Sequence, residues 1–314
     1  MEHRAFKKIL AELVNELTAA QVATLNEELA TRGSPSTVCR LIEQHFEKDK
    51  KCPHCGGKQL RRWGRASGLQ RFMCSGCNKT FNALTGKPLA RLRYKERWPG
   101  YLRSLADSLS IRRSAARADV STNTAFRWRH RFLEAQKHVK SQELTGIGEV
   151  DETFFLKSFK GLRSLLRPAR KRGGRAKKRG LSKEQVPVLI ARDRHANHID
   201  AVLGDRSKKA VSNVLGGKMA KDIILCTDSD PAIIAFAKDE GLKCETFIAS
   251  KGEHGKGPIH VQNVNGYISR LKKWMARFNG VATKYLASYL GWRRMLDLRA
   301  APITPKNLLI SALC

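Results

Sequence analysis

The chain has 314 residues, with 60 Lys and Arg against 28 Asp and Glu, so its net charge is +32. That length allows two or three domains, each with its own core, and a balance so basic points to a polyanionic partner. Hydrophobic content of 41% fits a soluble globular protein, and no run of 18 apolar residues offers a membrane span.

Residues 1–50 hold 7 basic and 8 acidic side chains, so the basic surface belongs to residues 51–314, which carry +33. Two amphipathic stretches, "FKKILAELVNEL" and "STVCRLIEQHFEK", flank the breaker "TRGSPS" and predict helices suited to packing or self-association. The N-terminus lacks the basic, apolar and small-residue order of a secretion signal. An intracellular protein is expected, its cysteines thiols or metal ligands.

Cys52 and Cys55, then Cys74 and Cys77, form two C-x-x-C turns separated by 18 residues. Each turn aims two sulfurs at one centre, a spacing that closes a tetrahedral zinc site. The intervening residues read as two short strands joined by a turn, so the unit resembles a zinc ribbon. Its surface carries Arg61, Arg62, Arg65 and Arg71 with Trp63 and Phe72 between them, a mixture suited to phosphate contact and stacking. The alternative is a ribbon that is merely solvated or faces protein. Cys39, Cys226, Cys244 and Cys314 stand alone as ordinary thiols.

Beyond Pro88 the apolar spacing turns helical, and Ser121 stands where an N-cap would open a last helix over 122–133. The pattern resembles a helix-turn-helix, with that helix as its reading head. Arg127, Arg129 and Arg131 cannot all share one face, and Arg127 with Arg131 are the DNA-contact candidates. A plain helical connector with a basic face explains the same residues.

From Gly146 the order is three strands, helix, strand, helix, strand and two helices. This is the element order of the ribonuclease H-like fold, in which nucleic-acid enzymes carry carboxylates on the first strand, just after the fourth, and on a later helix. Asp151 lies on the first strand and Asp228 just past the fourth. The duller readings are a paired edge residue for Asp151, helix caps for Asp228 and Asp230, a hydrogen-bonded strut for His260, and a surface amide for Asn265. Glu149, Glu152 and Glu253 are rival ligands. Between the first two strands "RPARKRGGRAKKRG" places eight basic residues from Arg167 to Arg179. Arg170, Lys171, Arg172, Arg175, Lys177 and Lys178 in this run are candidates for phosphate contact, unless the run is a solvated loop.

The stretches "CPHC…CSGC", "GIGEVDETFF", "VPVLIARDR", "TDSDPA", "HVQNVNGYISRLKKWM" and "GVATKYLASYLGWRR" together resemble bacterial insertion-sequence transposases of the ISXO-like group, which join an N-terminal zinc ribbon to a DDE-type domain. The resemblance implies a metal-dependent recombinase that nicks DNA ends and joins a free 3′-OH to target DNA. It also implies Mg²⁺ or Mn²⁺ at the catalytic site, double-stranded DNA as partner, a homo-oligomer on that DNA, and a cytoplasmic, nucleoid-associated location. Carried over residue by residue, it makes Asp151 and Asp228 the first two acids and puts Asn265 where many relatives have Glu, with Lys272 seven residues on. Asn265 departs from the DDE pattern, so a regulator that has lost catalysis and a nuclease that does not join strands stay open.

The expected architecture is a multidomain α+β chain: a helical region at 1–50, a zinc ribbon at 51–92, a helix-turn-helix-like region at 93–143, a ribonuclease H-like α/β domain at 144–300 with a basic insertion at 157–184, and a tail at 301–314.

Overall fold

The computed structural model describes residues 3–19, 21–22, 35–165, 168, 174, 176–177, 182–247, 255–297 and 303–313. They form two units, one of Met1–Ala135 with Pro302–Cys314 and one of Gln136–Ala301.

In the first unit both amphipathic stretches are helical, as α1 (His3–Glu16) and α2 (Pro35–Glu47). The second buries Val38, Cys39 and Ile42 on one face. Strands β1 (Leu60–Ala66), β2 (Leu69–Cys74) and β3 (Thr80–Asn82) follow as an antiparallel sheet in sequence order. Ser67 and Gly68 join the first two with φ of 51° and 80°, the left-handed pair that a two-residue hairpin requires. A side chain at Gly68 would also stand 2.9 Å from Cys39 Sγ. Phe72 and Phe81 pack on Phe46 of α2 with ring centroids 5.5 and 6.1 Å away, so this small sheet borrows an aromatic core from the helix before it.

Helices α3 (Trp98–Ala106), α4 (Ile111–Arg117) and α5 (Thr122–Phe132) come next. Ser110 and Ser121 cap the last two, their hydroxyls accepting from Arg113 N–H and Thr124 N–H. Trp98, Tyr101, Trp128 and Phe132 interlock at the centre. Arg129 is fully buried and donates to Leu109 O at 2.8 Å and Ser114 Oγ at 3.0 Å. It fastens α5 to α4 and to the turn before it, and is not available to a groove.

The second unit is built on β4 (Ile147–Leu156), β5 (Gln185–Asp193), β6 (His198–Val202), β7 (Ile224–Thr227) and β8 (Lys243–Thr246), in the spatial order β6-β5-β4-β7-β8. The first three strands are antiparallel, and β7 and β8 run parallel to β4. Helices α6 (Lys208–Leu215) and α7 (Pro231–Asp239) supply the crossovers around β7. Val150, Leu189, Ile199 and Leu225 from the sheet meet Val211, Leu215, Ile233 and Phe236 from these helices in one buried cluster. A short hairpin, β9 (Gly255–Lys256) with β10 (Ile259–His260), precedes α8 (Gln262–Ala276) and α9 (Leu286–Asp297).

Along α8, Val264, Tyr267, Ile268, Leu271, Trp274 and Met275 are buried at spacings of three and four, which leaves Asn265 and Lys272 together on the exposed side. In α9, Gly291 sits where a Cβ would be 2.3 Å from Gln136 O, so only glycine lets the helix approach that segment. Arg294, one turn later, donates to Gln136 O and Val139 O and pairs with buried Asp200. Burial opposes the charge on Asp200, but His198 and Arg294 outweigh it and hold the carboxyl at about 2. These contacts draw residues 136–143 into this unit.

Residues expected as a C-terminal tail form α10 (Pro305–Ser311) instead. It is capped by Thr304, opens on proline, and packs within the first unit on α2 and α3 through Leu308 and Leu309.

Candidate active site and metal centre

Strand register brings the two aspartates together. Gly148 pairs with Leu225 and Glu149 with Cys226, so two residues further on each strand Asp151 and Asp228 stand side by side. Alternation puts Val150 into the core under α6 and α7 and turns Glu149 and Asp151 to the opposite face, toward α8.

Asp151 is half-buried, and its Oδ1 accepts the Glu152 N–H at 2.6 Å. Burial first, and then the charge of Asp228, push its carboxyl up to about 7, while Lys272 pulls the other way. Asp228 is raised as well, by burial and then by Asp230, with Arg206 opposing. Two neighbouring carboxyls that each resist ionising, Asp151 half-buried and Asp228 at the surface, are what a hard divalent cation relieves, since it takes oxygen ligands and brings the missing positive charge.

The turn that carries Asp228 is held on both sides. Ser229 adopts φ 70°, a left-handed conformation costly for a residue with a Cβ, and its hydroxyl reaches Phe247 O at 3.5 Å. Asp230 caps α7, accepting from Ala232 N–H and Ile233 N–H at 2.8 and 3.3 Å. Arg206 then grips Asp230 and Glu152 at once, tying the α7 turn to the strand of Asp151. Asp230 is therefore a cap, and Glu152 is committed to an arginine.

Glu149 is committed too. Its carboxylate, 1% exposed, pairs with Arg194 at 2.6 Å and accepts the Val264 N–H at 2.8 Å, filling the place of the side-chain cap that α8 lacks. His260 is a strut: Nδ1 accepts from Gln262 N–H, and the ring lies against Arg194. Asn265 lies exposed near the start of α8, without a hydrogen bond to either aspartate among the described residues. Lys272 is exposed and close enough for its charge to act on Asp151. Glu253 falls outside the described residues. Sequence reasoning missed Arg206 and Arg194, because neither lies near its carboxylate partner in the chain.

In the first unit the sulfurs of Cys52, Cys55, Cys74 and Cys77 all lie within 4.8 Å of one another, with closest pairs at 3.5 and 3.7 Å. A tetrahedron with Zn–S bonds of ~2.3 Å sets sulfurs about 3.8 Å apart, so this cage could hold zinc. Backbone N–H groups of Cys77 and Gly76 draw the Cys74 thiol down to about 7 against its burial, which favours the ligating thiolate. Although the Gly57 N–H lowers it, the Cys55 thiol is pushed up to about 12 by the neighbouring sulfurs, a repulsion that a bound cation would cancel.

The basic candidates divide. Arg65 pairs with Glu43 at 3.1 Å and donates to Gly68 O, and Arg71 donates to Thr80 Oγ1 at 3.0 Å. On β1, Arg61 and Arg62 are exposed beside Trp63, itself 49% exposed. Phe72 corrects the expectation of a stacking surface, since it faces Phe46 and Phe81 and is 4% exposed. On α5, Arg127 is exposed, whereas Arg131 is turned back to Pro88 O and Ala90 O. Lys177 is exposed, and its N–H is bonded to Glu184. Arg170, Lys171, Arg172, Arg175 and Lys178 lie outside the described residues.

Comparison with known proteins adds two findings. Residues 143–293 match the ISXO2-like transposase domain, a span that begins just before β4 and ends within α9. The chain is also similar to an uncharacterized protein in transposable element ISH50 of Halobacterium salinarum, 26% identical over 243 residues that cover 76% of this chain and 82% of that one. No helix among the described residues is long and apolar enough to cross a membrane. Residues 143–293 thus match an ISXO2-like transposase domain, and over three quarters of its length the chain is similar to a protein of a transposable element.

Proposed function

We propose that the protein is a DNA transposase of the DDE type that binds the ends of its element, cleaves a strand there and joins it to target DNA. The observation that carries this reading is that Asp151, midway along β4, stands beside Asp228, just past the end of parallel β7, each carboxyl pushed upward. The sheet order β6-β5-β4-β7-β8 is in keeping with a ribonuclease H-like domain.

In this reading Asp151, Asp228 and the amide oxygen of Asn265 hold Mg²⁺ or Mn²⁺. Bound there, a pair of such ions would supply the charge that activates an attacking oxygen and stabilises a leaving one. The chain's own residues do the positioning. The aspartates are set by strand register and by the Arg206 grip, Glu149 fixes the start of α8 against β4, and Lys272 offers a cation to a phosphate beside Asp151. Phosphoryl transfer rests chiefly on such placement and on charge stabilisation.

The four-cysteine cage, loaded with structural zinc, orders the ribbon, and the exposed edge of β1 with the α5 face holds double-stranded DNA. A homo-oligomer on DNA and a nucleoid-associated location accompany this reading. One observation favours a second: Asn265 brings no charge where a third carboxylate is usual, which suits a DNA-binding regulator without catalysis.

The test uses the DNA that flanks the gene, incubated with the purified protein, Mg²⁺ and a supercoiled target. Joined product supports the transposase. Cleavage without joining gives a nuclease, and binding without cleavage in either Mg²⁺ or Mn²⁺ gives the regulator.

A further inference from the structure

Past Asp151, β4 runs along a cavity of about 1040 Å³. Phe159 and Leu162 line one side of it, Met275 and Leu286 are among the apolar residues that complete it, and Lys157 and Lys272 stand with them. Three lysines line the cavity and, among the described residues, no carboxylate does.

The walls are built. Ser158 and Thr283 exchange hydrogen bonds of 2.8 and 2.9 Å, and Lys160 donates to the carbonyls of Asn279 and Gly280 at 3.3 and 3.2 Å, so the turn after β4 is fastened to the segment that follows α8. Held in this way, Phe159 stays 37% exposed and Leu162 53%, a large apolar exposure beside a site otherwise made of charge. Lys157 Nζ lies 5.8 Å from the Phe159 ring centre.

An apolar wall edged by cations and, among the described residues, free of acids is complementary to a π-face joined to phosphates. A paired duplex cannot place a base in such a cavity, but an unpaired base can enter it. Lys272 belongs to the cavity and also acts on Asp151, so the two places are adjacent.

We propose that this cavity is a nucleobase slot, which takes one unpaired base of the bound DNA against Phe159 and Leu162 while Lys157 and Lys272 meet the flanking phosphates. Only the identification of that strand with the one cleaved rests on the functional reading above; the slot itself does not require catalysis.

The experiment compares a fully paired duplex with the same duplex carrying one bulged 5-iodouracil, titrated into the full-length protein at fixed low salt with Ca²⁺. Wild type is expected to bind the bulged probe about tenfold more tightly, the scale of one base stacking on an aromatic side chain. Irradiation should crosslink the iodouracil within residues 154–162. Phe159→Ala should remove the preference and leave affinity for the paired duplex unchanged, Phe159→Trp should keep it, and Leu162→Ser, at a more exposed position, should weaken it. Equal binding of both probes by wild type would overturn the slot, as would a preference intact in both Phe159→Ala and Leu162→Ser, or a crosslink elsewhere. Absence of cleavage in Mg²⁺ with the preference intact would count against the catalytic reading alone, and cleavage without the preference against the slot alone.

Discussion

Replacing Arg206 with Ala would strand two carboxylates. The side chains of Glu152 and Asp230 are 3% and 7% exposed, and Arg206, at 28%, is the cation that bridges them. Removing one member of a buried ion pair costs about 3–5 kcal/mol, and the partial exposure of Arg206 places this case near ~3. For a domain of this size ~3 kcal/mol lowers the unfolding temperature by about 6–12 °C. Denaturant and thermal unfolding of Arg206→Ala should show that loss. The same substitution in a Glu152→Gln, Asp230→Asn background should cost less than about 1 kcal/mol, because no charge is then left unpaired. An Arg206→Ala protein as stable as wild type, or an equal cost in the neutral background, would refute the view that this arginine locks the catalytic turn.

The four-cysteine cage predicts about one zinc per chain in freshly purified protein, and a strong chelator or Cys52→Ser should expose the amides of β1–β3 to hydrogen exchange; metal-free protein with unchanged protection would contradict it. Metal-free Asp151→Asn should be more stable than wild type at pH 8. A carboxyl held at about 7 favours folding below its unfolded value near 3.8 and loses that contribution as pH rises through 7, so the advantage of Asn should vanish near pH 4. The full shift corresponds to roughly 4 kcal/mol, with ~2 expected after relaxation, and a difference independent of pH would be the wrong result. Phe72→Ala should destabilise the ribbon by about 3 kcal/mol, whereas Trp63→Ala should leave unfolding unchanged and weaken DNA binding; the opposite pattern would return Phe72 to the surface.

Local chemistry was the legible part. Cysteine spacing and the Ser121 and Asp230 caps are all short-range, and the structure follows them. Element order was enough to bring Asp151 beside Asp228, because β7, a parallel neighbour of the first strand, ends level with the middle of that strand. What sequence left hidden depends on partners far along the chain. Glu149 read as a rival ligand and proves to hold α8, 115 residues away, and Arg206 gave no local sign of gripping Glu152 and Asp230. Phe72 was misjudged because strand alternation tells which residues share a face, but not that α2 covers that face. The C-terminal helix did carry a signal: Thr304 followed by Pro305 is an N-cap and first-turn pair, overlooked for the shortness of the segment.

Whether Asp151 and Asp228 form one cation-binding catalytic pair is tested most directly by cleavage of element-end DNA with Mg²⁺ by wild type, Asp151→Asn and Asp228→Asn, with DNA affinity and thermal unfolding measured on the same samples. Each single substitution is expected to abolish cleavage while DNA binding stays within about twofold and the fold is at least as stable. Undiminished cleavage by Asp228→Asn, in protein that binds DNA normally, would contradict the pair.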